Sequence, residues 1–144
     1  MKRIPIVALI ALASLVSAGN VLAQSREVRA TVPFNFSVGN KLLPAGNYTF
    51  ISEKQDQILI RSSDQSQFAV LTRTADENPT TWTDGKLIFN KYGDQYFLSE
   101  VLCSTAALNV DIPASKTERN AQHQMAELQS PDQKNAAQVY IALK

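Results

Sequence analysis

From Val28 the chain alternates: Val28, Ala30, Val32, Phe34, Phe36 and Val38 are apolar, and Arg29, Thr31, Pro33, Asn35 and Ser37 stand between them. A period of two puts every apolar group on one pleat face and predicts a strand with one buried side. Pro33 has no N–H to give to a ladder, so the run is an edge strand, is bent there, or is two shorter strands divided near Pro33. Gly39-Asn40 closes it, and Leu43-Pro44-Ala45-Gly46-Asn47 reads as a turn, with proline and glycine supplying the special backbone angles. Residues 48–52, 58–61 and 67–74 read as further strands, separated by polar turns at 53–57 and 62–66. In the third of these, Phe68, Val70 and Thr72 share one face and Ala69 and Leu71 the other. Residues 75–85 form a long polar stretch, marked as a loop by Asn78-Pro79 and Asp84-Gly85.

Residues 86–102 are the clearest hairpin, because Gly93-Asp94 is a two-residue connection suited to a primed turn. That register pairs Tyr92 with Gln95, Lys91 with Tyr96, Asn90 with Phe97, Phe89 with Leu98 and Ile88 with Ser99, and sets Glu100 opposite Leu87. One face then carries Leu87, Phe89, Tyr96 and Leu98, and the other Ile88, Tyr92, Phe97 and Val101. A strand pair with only one buried side does not look like this. Either something covers the second face or it is a binding surface. A cover is available downstream. Ser115-Lys116-Thr117-Glu118 is a capping-box pattern opening a polar helix that runs to about residue 129, with a thin stripe of Ala121, Met125 and Leu128 and a stop at Pro131. Residues 139–143 are β-like and rejoin the sheet. The expected fold is all-β and mainly antiparallel: a single-domain β sandwich or small barrel of about seven or eight strands, with one late α-helix near 115–129.

Two of these segments, VPFNFSVGNKLLPAGNYTF (residues 32–50) and LIFNKYGDQYFLSEV (residues 87–101), resemble a family of small exported bacterial proteins. Its members pair a VPFxFxVG…LPAGxY opening with a YGDQYFL hairpin, and residues 108–129 and the C-terminal strand fit the same pattern. The resemblance implies export, a bacterial source and a compact β-rich domain. It carries no activity, ligand or catalytic residue onto this chain.

Export also follows from the N-terminus. Lys2 and Arg3 precede an apolar run from Ile4 to Val16, and Val21-Leu22-Ala23 offers small or aliphatic side chains where a signal peptidase reads. The apolar run is shorter than the roughly 20 residues a span needs, so residues 1–23 read as a cleavable signal peptide, with Ala18 as the second cleavage position. No transmembrane span is expected after cleavage, and the mature domain, residues 24–144, belongs in the periplasm or outside the cell. The leader takes two of the 14 basic residues with it, leaving 12 against 13 acidic. Such a near-neutral chain lacks the clustered positive face that nucleic acid demands. Cys103 is the only cysteine, which excludes an intramolecular disulfide and makes it a small buried hydrophobe unless it bridges two chains or reacts.

Catalytic chemistry has little to work with. His123 is the single histidine, sits among Asn120, Gln122 and Gln124, and reads as an exposed bystander, so neither a metal site nor a Ser-His-acid triad is expected. No cofactor is expected. A carboxylate-based hydrolase would need a pocket holding Glu100 with Asp84 or Asp111; Asp84 and Asp94 sit in turns, where aspartate is common without function. Trp82, Ile88, Tyr92, Phe97 and Val101 are the candidate ligand- or partner-binding residues, weighed against a plain role in the core. The expected function is therefore a non-catalytic envelope or extracellular binding or structural module whose partner is a protein or envelope component. The alternative is a barrel that carries a small lipophilic ligand. If the second hairpin face binds a partner, Phe97→Ser leaves a folded protein that has lost it.

Overall fold

The computed structural model describes residues 26–75, 85–128 and 137–144. The leader and its cleavage positions, and the loop residues 76–84 with Trp82 and Asp84, lie outside them. The alternating run divides at Pro33 into β1 (Glu27–Val32) and β2 (Phe36–Val38). The apolar phase survives the division, since Val28, Ala30, Val32, Phe36 and Val38 are all buried. The sheet does not. β1 pairs antiparallel with β4 (Gly46–Lys54), which continues through β5 (Gln57–Ser62) to β6 (Gln67–Leu71) in a four-stranded sheet. β2 enters a second sheet, folding back on β3 (Lys41–Leu43) across the Gly39-Asn40 turn, where Gly39 holds a φ of +59° that glycine adopts without strain.

The seven-stranded second sheet runs β11 (Ala137–Ala142), β8 (Lys86–Tyr92), β9 (Gln95–Cys103), β10 (Leu108–Asp111) and β7 (Arg73–Thr74), with β2 and β3 attached through β9. Because β8 occupies one edge of β9 along its length, β2 and β10 share the other edge, one at Phe97 and one over residues 100–103. The fold is all-β and mainly antiparallel with one late helix, as the patterning predicts, and one of its sheets curls into a half-barrel. Its strands are shorter and more numerous than expected: eleven among the described residues, with β3 and β10 not anticipated. The predicted strand 67–74 is also two strands. β6 ends at Leu71 and β7 begins at Arg73 in the other sheet, with Thr72 buried at the corner and its N–H donated to Asp56 O at 2.8 Å.

That corner links the sheets along one flank. Along the other, Lys144 N–H donates to Arg29 O at 2.8 Å, just beyond β11 and beside β1. The two sheets are thus linked at both flanks and packed face to face. A line of rings fills the space between them. Tyr96 stacks on Phe34 at 4.0 Å, Phe34 and Phe36 meet Phe89 edge-on at 5.2 and 5.3 Å, and Phe36 meets Tyr48 at 5.1 Å. Edge-to-face and offset pairs of this kind add about 0.5–1.5 kcal/mol each beyond the area they bury. Val32, Phe50, Ile58, Ile60, Leu98 and Leu108 close around them.

One glycine marks a close approach within the seven-stranded sheet, where the ends of β8, β9 and β11 meet. A Cβ on Gly85 would lie 2.7 Å from Leu143 Cδ1 and 3.1 Å from both Cβ and Sγ of Cys103, whereas one on Gly46 would meet only Tyr48 Cε2 at 3.7 Å. Gly85→Ala is expected to lose about 1–3 kcal/mol through overpacking, and Gly46→Ala to stay within about 1 kcal/mol of the parent. Urea unfolding midpoints of the two variants check this; equal midpoints would show that the Gly85 approach is slack.

Candidate functional site

The hairpin forms with its predicted turn, Gly93 taking a φ of +60°, and its predicted pairing holds from Tyr92–Gln95 to Phe89–Leu98. Beyond that point the register slips by one. Ile88 faces Glu100 rather than Ser99, and Leu87 faces Val101 rather than Glu100, because Ser99 is the extra residue of a β-bulge. The bulge reverses the alternation along β9. Leu98 and Val101, three apart, both point into the space between the sheets with Leu87 and Phe89, and Val101 leaves the outer face on which simple alternation puts it. The outer face consists of Ile88, Asn90 and Tyr92 of β8 with Phe97, Glu100 and Leu102 of β9.

That face is covered. Helix α1 (Lys116–Leu128) lies over it, with Glu118 accepting a hydrogen bond from Asn90 Nδ2 at 3.0 Å and Met125 placed so that a Cβ on Gly93 would lie 3.7 Å from its Sδ. Ile88, Phe97 and Leu102 are consequently buried, and Tyr92 is half-buried with its ring 5.9 Å from that of Phe97. Of the five sequence candidates, three are therefore enclosed, Tyr92 is partly so, and Trp82 lies outside the described residues. Ile88, Phe97 and Val101 contribute to no exposed apolar patch. The docking stripe of the helix differs from the expected one. It is Glu118, Ala121 and Met125, while Leu128, the last residue of the helix, is 82% exposed.

The helix start explains why a carboxylate sits in that stripe. Glu118 N–H donates to Ser115 Oγ at 3.1 Å, and the Glu118 carboxylate accepts from the Ser115 backbone in return, completing the capping box. The same geometry drives the carboxylate under the helix, where it is 5% exposed. Burial pushes its pKa above the usual carboxylate value, with the Asp111 carboxylate adding to the rise, while the bonds from Asn90 and Ser115 pull it back. Tyr92, beside it, is raised by burial and by the Glu118 charge.

The remaining candidates disperse. His123 is exposed on the solvent side of α1. Cys103 is a free, buried thiol 3.3 Å from Thr105 Oγ1. Glu100 and Asp111 do meet, directly opposite each other in the β9–β10 ladder and both half-buried, but Asp94 is exposed in the hairpin turn. Among the described residues no group of three or more His, Cys, Asp or Glu is placed to hold a metal ion, and no helix is long and apolar enough to cross a membrane.

A feature the sequence did not flag lies on the outer face of the four-stranded sheet. An open groove of about 970 Å³ runs over β1, β4 and β5, floored by Thr31, Asn47, Thr49, Ser62 and Ser63 and flanked by Arg29, Arg61 and Lys144. The pairing fixes its layout. Arg29 stands opposite Thr49, Thr49 opposite Arg61, and Lys144 is bonded to the Arg29 backbone, so a single row crosses the sheet. Glu27 offsets one cation, accepting from Arg29 at 3.1 and 3.2 Å, and Thr31 Oγ donates to Asn47 Oδ1 at 2.6 Å. Arg61 makes no side-chain hydrogen bond or ion pair among the described residues. At the rim, Asp64 accepts from Ser62 Oγ and Ser66 N, which holds its pKa down at about 2.

Two outcomes follow from the covered hairpin. Phe97→Ser is expected to cost about 3–5 kcal/mol of stability, since a fully enclosed ring is removed, and a wild-type urea midpoint would contradict its enclosure. Glu118 keeps its proton to higher pH in the folded chain than in the unfolded one. Stability therefore falls as pH rises from about 4.5 through the raised value. Glu118→Gln, which keeps an acceptor for Asn90, is expected to flatten that slope; denaturation midpoints across the window, above the range in which Asp64 titrates, decide it. Comparison of the chain with protein-family models, with curated proteins and with solved structures finds no match in any of the three.

Proposed function

We propose that this protein is an exported, non-catalytic binding module of the cell envelope or exterior, and that it binds through the polar groove on its four-stranded sheet. The leader pattern at residues 1–23 supports export. The observation that carries the binding surface is the way the interior is used. The ring line from Tyr96 to Tyr48 and the aliphatic side chains around it occupy the space between the sheets, and α1 occupies the outer face of the hairpin. Both apolar surfaces that the sequence offers are thereby taken up by the fold itself. Among the described residues, the groove with Arg29, Arg61 and Lys144 is a concave, chemically varied surface that faces solvent.

The test is co-sedimentation of the mature protein with purified envelope fractions, cell-wall sacculi and outer-membrane vesicles. The mature protein is expected to sediment with one of them, Arg61→Ala to be released, and His123→Ala, on the far side of the molecule, to behave as wild type. Sedimentation lost equally in both variants, or absent in the parent, overturns the reading. Native mass spectrometry of protein purified from its host checks the carrier alternative, for which a retained lipophile is the required result.

A further inference from the structure

Resting on that reading of the groove, we infer that its ligand is an acidic polysaccharide, bound by its carboxylate or other anionic groups along the Lys144–Arg29–Arg61 row and by its hydroxyls on the floor. Three observations lead there. The first is charge. Arg29 and Arg61 flank Thr49 at the two neighbouring register positions, about 10 Å apart at the backbone from the strand spacing. Lys144 extends the row on the β1 side. Like charges on one sheet face repel, and Glu27 relieves only Arg29. Among the described residues the Arg61 guanidinium, half-buried against the sheet, has no side-chain partner and keeps donors and charge for an anion.

The second is the floor. Thr31, Asn47, Thr49, Ser62, Ser63 and Gln65 present hydroxyls and amides, which can both donate and accept. Two of them already form a linked pair, Thr31 with Asn47. Such a floor matches a polyhydroxylated chain. The third observation concerns apolar surface. The two apolar side chains that line the groove, Ala30 and Tyr48, are each 3% exposed, and the Tyr48 hydroxyl is already donated to Pro44 O at 2.6 Å. Protein partners are held at a buried apolar or aromatic centre, and membrane docking needs apolar groups to insert. The groove offers neither. A hydrated, anionic, hydroxyl-rich polymer fits all three observations, and its open shape suits a chain that enters and leaves along its length.

The test uses the mature protein with oligogalacturonate as the acidic probe and a dextran oligomer of similar length as the neutral one, followed by calorimetric titration. Oligogalacturonate is expected to bind and to weaken as ionic strength rises, and dextran not to bind. Arg61→Ala and Arg29→Ala are each expected to lower the affinity by at least roughly tenfold, the weight of one charge-assisted hydrogen bond, with unchanged melting temperatures. Lys116→Ala, on α1, is expected to bind as wild type. Equal binding of dextran, or binding untouched by Arg61→Ala, overturns the inference. So does silence with oligogalacturonate and with sacculi while Arg61-dependent sedimentation with vesicles persists. In that case the groove remains the binding surface and its ligand is a protein or a lipid headgroup; loss of both signals removes the groove altogether.

Discussion

The extra residue at Ser99 organises much of this molecule. A regular β8–β9 hairpin would alternate strictly, so that Leu98 and Val101 would lie on opposite faces. The bulge lets both enter the core and turns Glu100 and Leu102 outward with Ile88 and Phe97. The ladder beyond it also depends on Ser99, whose carbonyl accepts from Ile112 N–H at 2.7 Å just where β10 ends. Ile112 itself is buried. The chain leaves the sheet there, passes Pro113 and reaches the Ser115 cap, so the bulge and the helix start are neighbours in space and α1 is delivered directly above the outer face. That face is apolar in the middle and acidic at its edge. A helix whose docking stripe combines Ala121, Met125 and an inward Glu118 meets both characters, at the cost of burying one carboxylate.

The linking of the two sheets at both flanks explains how the chain holds together without a disulfide. Free sheet edges expose unpaired backbone groups and invite pairing with other chains. Here the β6 edge turns through Thr72 into β7, and the β1 edge meets the residue following β11 through the Lys144–Arg29 bond. With both flanks linked, each sheet supports the other's register, and the core needs no cross-link. Cys103 fits this picture as a buried core side chain, beside Gly85 at the end of the β8–β9 pair.

What the sequence made legible was local. The period-two run and its break at Pro33, the Gly93-Asp94 turn and the Ser115–Glu118 capping box each lie within a few residues of the structure they specify, and each predicts its element correctly. The misses are non-local. Nothing around Ser99 distinguishes a bulge from continued alternation, because Leu98, Val101 and Leu102 are apolar in either phase. Thr72 continues the alternation of β6 while the chain changes sheets beneath it. β10 is a four-residue strand whose partner, β9, decides its existence. The enclosure of Ile88 and Phe97 beneath α1 was not legible for a related reason. Periodicity reports that two faces are apolar, and cannot say which other element covers the second.

The groove was invisible for the opposite reason. Arg29, Thr49 and Arg61 are ordinary outward-facing residues of three different strands, and each satisfies the alternation so well that nothing singles it out. Only the register aligns them. This suggests a general division of labour in a small β domain of this size. Apolar residues are constrained twice, by phase and by packing, and here the space between the sheets takes up the aromatic line down to the rings of Phe34 and Tyr96. The outward positions of a sheet carry no such constraint beyond polarity. Side chains there are free to be chosen for what they meet in solution. A row with three cations and one carboxylate is a poor choice for stability alone, since exposed like charges gain nothing from proximity. Its cost is small enough for the folded domain to tolerate, and it makes sense when the missing counter-charge arrives with a ligand.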